Sequence, residues 1–164
     1  MIKVIPPERK DMLDMVTVIY RAWLQTYPNK EVGISKVDIE HFFELSFTKE
    51  ALDLRWEKIQ DNRVFIAKDD DVLVGVVILI SHTDKNQLKA IYIMPEYQGK
   101  GIGSLLWKRA QEELPNKKWI VHCASYNARA IKVYEKWGFK DTGKRWKDDK
   151  RGLQIPTIEL ELCV

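Results

Sequence analysis

The fold is decided by the stretch Ile91-Tyr-Ile-Met-Pro95-Glu-Tyr-Gln98-Gly-Lys-Gly101-Ile-Gly103-Ser-Leu-Leu-Trp107. An apolar, β-type run breaks at Pro95, passes through three alternating glycines and continues as a helical pattern. Glycine lets the backbone approach a ligand because no Cβ stands in the way. The first N–H groups of a helix have no partner inside the helix, and they lie at the positive end of its dipole. The stretch therefore predicts a strand, a loop suited to a phosphate or pyrophosphate, and a helix.

Composition predicts one domain over residues 1–164, since 45% of the chain is hydrophobic and 31% is charged. The net charge of +3 is too small to indicate nucleic-acid binding but suits an anionic cofactor. Cys123 and Cys163 lie far apart and form neither a disulfide framework nor a metal motif. The N-terminus lacks the apolar core of a signal peptide, and the longest apolar run, 72–80, is too short to span a bilayer. We expect a soluble, cytoplasmic protein with no metal, nucleic-acid or membrane partner.

The N-terminal part of the chain has mainly helical periodicity. A short strand is predicted over 2–5, followed by helices over 8–25, 35–45 and 48–59. The first helix has apolar residues at spacings of three and four. The second begins with Ser35-Lys-Val-Asp38, a typical N-cap followed by an acidic residue three positions later.

Extended segments predominate after residue 61. Strands are predicted over 64–67, 72–80, 88–94, 119–123 and 155–162, and helices over 101–114 and 127–137. Pro115-Asn116 ends the first of these helices, and Gly138 ends the second. The charged run 144–152 is interpreted as a solvated loop, although it would also suit an acidic partner or a second subunit. This order indicates an α+β fold with a mixed, mostly antiparallel central sheet flanked by helices.

Two common phosphate-binding loops do not fit the glycine stretch. A Walker A loop needs a lysine directly before its Ser or Thr, and Ser104 follows a glycine instead. A dinucleotide fingerprint needs a different final glycine spacing and an acidic residue at the end of the next strand, which here ends in Cys123-Ala-Ser.

The segment Gln98-Gly-Lys-Gly101-Ile-Gly103 resembles the acetyl-CoA-binding motif of the GNAT superfamily of N-acetyltransferases, which reads Arg or Gln, then xxGx, then Gly or Ala. The preceding Ile91-Tyr92-Ile93-Met-Pro95 resembles that family's fourth strand, and 127–139 resembles its second motif. The resemblance is strong over about 62–140. It implies a GNAT-like acyl-CoA N-acyltransferase fold, acetyl-CoA as cofactor, and acetyl transfer to a primary amine.

The resemblance also implies the residues that hold the cofactor. For the pyrophosphate we expect backbone N–H groups of the glycine loop, with the Ser104 hydroxyl as a further donor and Lys100 adding charge or being simply solvated. These loop residues are Gln98, Gly99, Lys100, Gly101, Ile102, Gly103 and Ser104. For the pantetheine arm, the family implies strand-like pairing with the backbone of Ile91, Tyr92 and Ile93, where an N–H group could stabilise the oxyanion. Asn127 is expected to contact the cofactor or to cap its helix.

Tyr134 is the predicted general acid, because it lies two helical turns after Asn127 and matches the tyrosine that commonly protonates the CoA thiolate in this family. The alternative is an aromatic side chain packed on the core.

The identity of the general base is open. The family's glutamate position falls on Gln87 or Leu88, neither of which is a base, and His122, Glu31 or ordered water are the other candidates. Direct attack in a ternary complex is favoured, since Cys123 lacks a positioned Cys-His-Asp set.

Trp23, Tyr27 and Glu31 lie between the first two helices, which is the region that shapes the acceptor pocket in the resembled family. Aromatic rings beside a carboxylate would suit a cationic amine, although Trp23 in the core and Glu31 in solvent is an equally good interpretation. Candidate acceptors are polyamine-like small amines, a protein N-terminus and amino-sugar antibiotics. A homodimer is also predicted. The alternative function is a non-catalytic acyl-CoA-binding or sensor module.

Overall fold

The computed structural model describes residues 1–115 and 117–163. The α-helices are α1 (Met12–Thr26), α2 (Lys36–Phe43), α3 (Lys49–Ile59), α4 (Ile102–Glu113) and α5 (Ala128–Lys136). The strands are β1 (Ile2–Ile5), β2 (Arg63–Asp69), β3 (Val72–Ser81), β4 (Lys85–Ile93), β5 (Lys118–Ala124), β6 (Lys140–Lys150) and β7 (Leu153–Leu162).

The strands form one seven-stranded sheet in the order β1-β2-β3-β4-β5-β7-β6. Every described neighbouring pair is antiparallel except β4 and β5, which are parallel and joined by α4. Parallel neighbours need a crossover connection, and the helix that follows the glycine loop supplies it. The predicted α+β fold with a mixed, mostly antiparallel sheet is confirmed.

Helices cover both faces of the sheet. On one face, the apolar stripe of α1, including Met15 and Ile19, packs with residues of α2 and α3. On the other face, α4 packs with Tyr134 of α5. Gly75 of β3 lets α4 lie close, because a Cβ there would stand 3.1 Å from the Leu106 Cδ1 atom. The two faces therefore have separate cores on either side of one sheet.

The parallel pair β4 and β5 separates along its length. Pairing runs from Lys85 with Lys118 to Leu88 with Val121, whereas β4 continues to Ile93. From that point, the side of β4 that faces β5 has no strand partner among the described residues. This gap lies next to the glycine loop and positions the site described below.

The charged run at 144–152 is not a loop, and that prediction was wrong. Most of it belongs to the edge strand β6, which pairs with β7 through register pairs such as Trp146 with Thr157. Charged side chains are frequent on edge strands because they hinder pairing with other chains. The other element predictions differ from the structure only at their ends. For example, a short 3-10 turn at Arg9–Asp11 precedes α1, and β4 begins at Lys85, three residues before its predicted start. Asn116, one of the two residues predicted to end α4, lies outside the described residues.

No helix within 1–115 and 117–163 combines the length and the apolar character that crossing a membrane requires.

Candidate functional site

A cleft of about 950 Å³ extends from the glycine loop through the gap between β4 and β5 to the face covered by α1 and α2. It brings together most of the residues singled out in the sequence. These are Trp23, Tyr27, Ile91, Tyr92, Ile93, Gln98, Gly99, Gly101, Ile102, Gly103, Ser104, Asn127 and Tyr134. Lys100 and Glu31 do not line it.

The glycine loop has the geometry of an anion cradle. Gly99 and Gly101 have φ values of +78° and +82°, and a Cβ at either position would point into open space. Gly101 is also the N-cap of α4 and provides no side-chain cap. The first bond of the helix runs from the Leu105 N–H to the Gly101 carbonyl at 3.2 Å, which leaves the N–H groups of the first turn to a ligand. These residues fit a pyrophosphate.

Gln98 supports the loop instead of contributing its own N–H group. That N–H group donates to the Pro95 carbonyl at 3.3 Å, and the side-chain Nε2 donates to the Ile93 carbonyl at 3.2 Å. Arg129 in turn donates to the Gln98 side-chain oxygen. Arg129 was not singled out in the sequence, although its place two residues after Asn127 in the second motif was a usable signal. Lys100 is exposed, and its Nζ lies 4.7 Å from the centre of the Tyr97 ring.

The backbone of β4 offers hydrogen-bonding groups to the gap at alternate residues. The Met94 N–H donates to the Val74 carbonyl at 2.9 Å, so it points toward β3. The direction of the backbone groups alternates along a strand. The N–H and C=O groups of Tyr92 therefore also point toward β3, and those of Ile91 and Ile93 point into the gap. The side chains of Ile91 and Ile93 pack on the α4 side, whereas Tyr92 packs on the α1 side.

Tyr134 is buried, at 6% exposure, and still lines the cleft. Its ring packs against Trp137 and Phe139, each with a centroid distance of 5.8 Å. Burial, with smaller contributions from Cys123 and Tyr92, raises the pKa of Tyr134 far above the usual tyrosine value, so the phenol keeps its proton. Burial also raises the pKa of Cys123 to about 11, which keeps this side chain a thiol.

Asn127 caps α5. Its Oδ1 accepts a hydrogen bond from the Ala130 N–H at 3.1 Å, and the residue also lines the cleft. An asparagine at this position satisfies a free N–H group of the first helical turn. Asn127 therefore fixes the start of the helix that carries Tyr134.

His122 is the first residue of β5 after its pairing with β4 ends, and it lines the cleft. Its Nε2 lies 3.1 Å from Oε2 of the buried Glu159, and its Nδ1 lies 3.5 Å from Nε2 of Gln87. Burial opposes the charge on Glu159, but hydrogen bonds from Lys144 and His122 outweigh it and lower the pKa of Glu159. With the His122 proton on Nε2, toward the ionised Glu159, the lone pair on Nδ1 would face the Gln87 amide.

Aromatic residues form the wall of the cleft next to α1 and α2. Trp23 stacks on Phe42 with a centroid distance of 4.8 Å and meets Tyr27 edge to face at 4.6 Å. Burial, with the neighbouring Tyr92, raises the pKa of Tyr27 well above its ordinary value. Glu31 is exposed on the loop between α1 and α2 and does not line the cleft. The acceptor side of the cleft is thus aromatic, and the predicted carboxylate of Glu31 does not line it.

Residues 20–139, which are more than half of the chain, match the model of the acetyltransferase (GNAT) family. The chain belongs to this family. Membership confirms the predicted acyltransferase class and acetyl-CoA as the acyl donor.

Relatives of this GNAT chain act on different amines. A spermidine N(1)-acetyltransferase of Thermoplasma acidophilum is 31% identical over 80% of this chain and 83% of its own length. The peptidyl-lysine N-acetyltransferase YjaB of Salmonella typhimurium is 30% identical over 76% of this chain and 82% of its own length. A probable N-acetyltransferase of Mycobacterium tuberculosis is 31% identical over 60% of this chain, and that match spans 59% of the relative.

A crystal structure of PaiA N-acetyltransferase from Thermoplasma acidophilum, in complex with coenzyme A, has the same fold. It superposes with a TM-score of 0.76 at 24% identity and covers 98% of both chains.

Proposed function

We propose that this GNAT chain transfers an acetyl group from acetyl-CoA to a primary amine by direct attack in a ternary complex. The observation that carries the proposal is that the glycine loop, the free edge of β4 and Tyr134 all meet in one cleft. Acetyl-CoA supplies the acetyl thioester. The amine nitrogen forms the new amide bond as the carbon–sulfur bond breaks, so the enzyme must remove one proton from the amine and supply one to the thiolate.

The residues that hold acetyl-CoA follow from the free backbone groups. The N–H groups from Gly99 to Ser104 would bind the pyrophosphate, with the Ser104 hydroxyl as a further donor. The backbone groups of Ile91 and the N–H group of Ile93, whose carbonyl accepts from Gln98, would pair with the pantetheine arm. One of these N–H groups would also stabilise the oxygen that gains charge during transfer.

Tyr134 is the proposed general acid. It lines the gap from α5, and burial keeps its phenol protonated. A neutral phenol can donate a hydrogen bond and then a proton to the departing thiolate.

His122 is the proposed general base, because the family's glutamate position falls on Gln87 or Leu88 and neither is a base. It lies where β4 and β5 separate, on the acceptor side, and Glu159 orients its ring. The carboxylate also stabilises the positive charge that the imidazole gains when it takes the amine proton.

A polyamine-like small amine and a protein N-terminus are the two proposed acceptor classes. The aromatic wall of Trp23 and Tyr27 supports an amine acceptor, and the spermidine and peptidyl-lysine relatives show that members of this family use both small and peptide amines.

We also propose a cytoplasmic location, which the free cysteines Cys123 and Cys163 support. The proposed homodimer is testable by light scattering of the purified chain.

The proposal is tested by two measurements on the purified protein. Saturating acetyl-CoA should raise the melting temperature, because a ligand that binds only the native state stabilises it. A panel of polyamines, N-terminal peptides and amino acids should then show amine-dependent release of the CoA thiol. No thermal shift would exclude the proposal, and a shift without thiol release from any amine would favour the non-catalytic acyl-CoA sensor.

A further inference from the structure

Two arginines on the acceptor side of the cleft lack carboxylate partners. Arg55 of α3 and Arg151 of the β6–β7 turn both line the cleft, and within the described ranges no Asp or Glu oxygen lies within 4 Å of either guanidinium. Other arginines of the chain do form such pairs, namely Arg9, Arg21, Arg63, Arg109 and Arg145.

Both guanidinium-bearing side chains line the same cleft. Burial, together with the charge of Arg151, lowers the pKa of Arg55. A guanidinium nevertheless stays charged inside proteins. Two like charges that line one cleft with no carboxylate within 4 Å of either repel each other, and a bound anion would relieve that cost.

Arg151 has an unusual backbone conformation, and its guanidinium donates a hydrogen bond to the Phe42 carbonyl at 3.4 Å. It has φ of +50° and precedes Gly152, which has φ of +90°, in the turn that joins β6 to β7. Such a two-residue turn favours Asn, Asp or Gly at its first position. The Arg151 guanidinium lies 4.5 Å from the centre of the Phe42 ring, which stacks on Trp23. Strain of this kind is commonly found where a side chain has a functional role.

The acidic residues of the cleft, Asp148 and Asp149, form no ion pair with either arginine, and Asp148 has a cationic partner of its own. Asp148 lies 3.1 Å from Lys150, and Asp149 accepts hydrogen bonds at 2.7 Å from the Gly152 N–H and the Gln154 side chain. The indole N–H of Trp23 is in addition a buried donor without an acceptor among the described residues. The acceptor side thus has an excess of positive charge and of hydrogen-bond donors.

We propose that Arg55 and Arg151 form an anion subsite and that the acceptor is a primary amine which also carries a carboxylate. This inference rests on the proposed function and narrows the class of amine that it accepts. The planar guanidinium binds a carboxylate through two parallel hydrogen bonds, which orients as well as attracts it. A free polyamine, with several positive charges and no anionic group, is repelled by the same pair. The required chemistry occurs both in small amino carboxylates and in peptides with an acidic residue next to the N-terminal amine.

Matched acceptor pairs test the subsite. One pair is an ω-amino acid and its amide, and the other is two peptides that differ only in Asp or Asn at the second position. We expect wild-type protein to prefer the carboxylate member of at least one pair by about tenfold in kcat/KM, mainly through KM. The pair that shows this preference identifies the acceptor as a small amino carboxylate or as a peptide with an acidic second residue. Arg55→Met and Arg151→Asn should each bring this ratio close to one, and Asn suits the backbone of the turn.

Lys58→Met is the matched control, because it removes a charge from the same helix at an exposed residue outside the cleft. It should leave the wild-type ratio unchanged. A wild-type ratio near one for both pairs, or a ratio that neither arginine substitution alters, would overturn the subsite.

A binding measurement separates this inference from the proposed function. Calorimetric titration with the ω-amino acid, in the presence of CoA, needs no turnover. Binding that is weakened about tenfold by Arg55→Met or Arg151→Asn supports the subsite even if no thiol is released, in which case only the transferase proposal fails. If spermidine has the highest kcat/KM of the acceptors, and neither arginine substitution changes that value, the result supports the transferase and overturns the subsite.

Discussion

The Nε2 atom of His122 lies 3.1 Å from Oε2 of Glu159, a carboxylate that is only 8% exposed. This pair joins adjacent strands, since His122 of β5 is in register with Glu159 of β7. The imidazole is thereby oriented at the point where β4 and β5 separate. A histidine held in this way by a buried carboxylate is suited to accept a proton.

Replacing His122 by Asn should lower kcat about 100-fold near pH 7, which is the lower range for loss of a general base. Glu159→Gln should have a smaller effect of about tenfold, because the base remains but loses its orienting charge. Steady-state kinetics over pH check both. The His122→Asn deficit should shrink at high pH, where more of the amine is already deprotonated. Glu161→Gln on the same strand is the control, and equal rates for His122→Asn and wild type would rule out this base.

Tyr134→Phe should lower kcat by about 100-fold and leave the dissociation constant of CoA nearly unchanged, because the ring keeps its packing and loses only the proton donor. Calorimetry and thiol release measure the two quantities separately. Tyr126→Phe is the comparison, since its hydroxyl donates to the Tyr27 carbonyl at 2.9 Å and Tyr126 does not line the cleft. A Tyr134→Phe enzyme with full activity would assign Tyr134 to the core alone.

Gly101→Ala should weaken CoA binding about tenfold, because a Cβ at φ of +82° would project into the open space of the cradle. The same substitution should cost about 1–2 kcal/mol of folding free energy through left-handed strain. Gly143→Ala is a matched control, since Gly143 has φ of +84° and open space around it but lies on β6. Chemical denaturation should show similar losses of folding free energy for the two variants. Titration with CoA should show weaker binding for Gly101→Ala alone. Equal CoA affinity in the two variants would contradict the cradle.

Asp11→Asn should destabilise the protein by about 3 kcal/mol near pH 7, because it leaves Lys68 without its buried partner. The Lys68 Nζ lies 2.6 Å from Asp11 Oδ1, and the two side chains are only 16% and 4% exposed. Asp53→Asn is the control, because its ion pairs involve exposed partners and should contribute less than about 1 kcal/mol.

The Asp11 contribution should also depend on pH. Burial opposes its charge, but the Lys68 ammonium and the Glu8 N–H outweigh this and lower the pKa of Asp11 in the folded state. A lowered pKa means that the stabilisation is complete above the unfolded value of about 3.9 and is lost as the pH falls through the folded value. Denaturation at several pH values should show the wild type approaching Asp11→Asn in acid. A difference in unfolding free energy that stays constant with pH would show that the effect of the substitution does not depend on the ionisation of Asp11.

Local signals were enough to predict most of the regular elements. Spacings of three and four predicted α1, and Ser35 and Asp38 do form the predicted capping box of α2. The charged run at 144–152 failed, because it carries no apolar alternation and its strand is specified by pairing with β7. Strand pairing depends on residues distant in sequence, which no local pattern reports.

The donor side of the site was largely visible in the sequence, and the acceptor side was not. The glycine spacing and the position of Tyr134 after Asn127 lie within short, contiguous segments. The roles of single groups still needed the structure, which shows that Gln98 uses its N–H group within the loop and that Tyr92 directs its backbone to β3. Arg55 and Arg151 carried no signal, because each is an ordinary charged residue in its own segment.

The sequence by itself determined the anion cradle and the family, because left-handed glycines and a free helix N-terminus are local properties of the backbone. Only the tertiary structure decided which side chains face the acceptor. The sheet brings His122 to Glu159, and the fold places Arg55 of α3 and Arg151 of the β6–β7 turn on one cleft. The physical reason is that charge and hydrogen bonding act through space, so the chemistry of the acceptor pocket depends on distances that exist only in the folded chain.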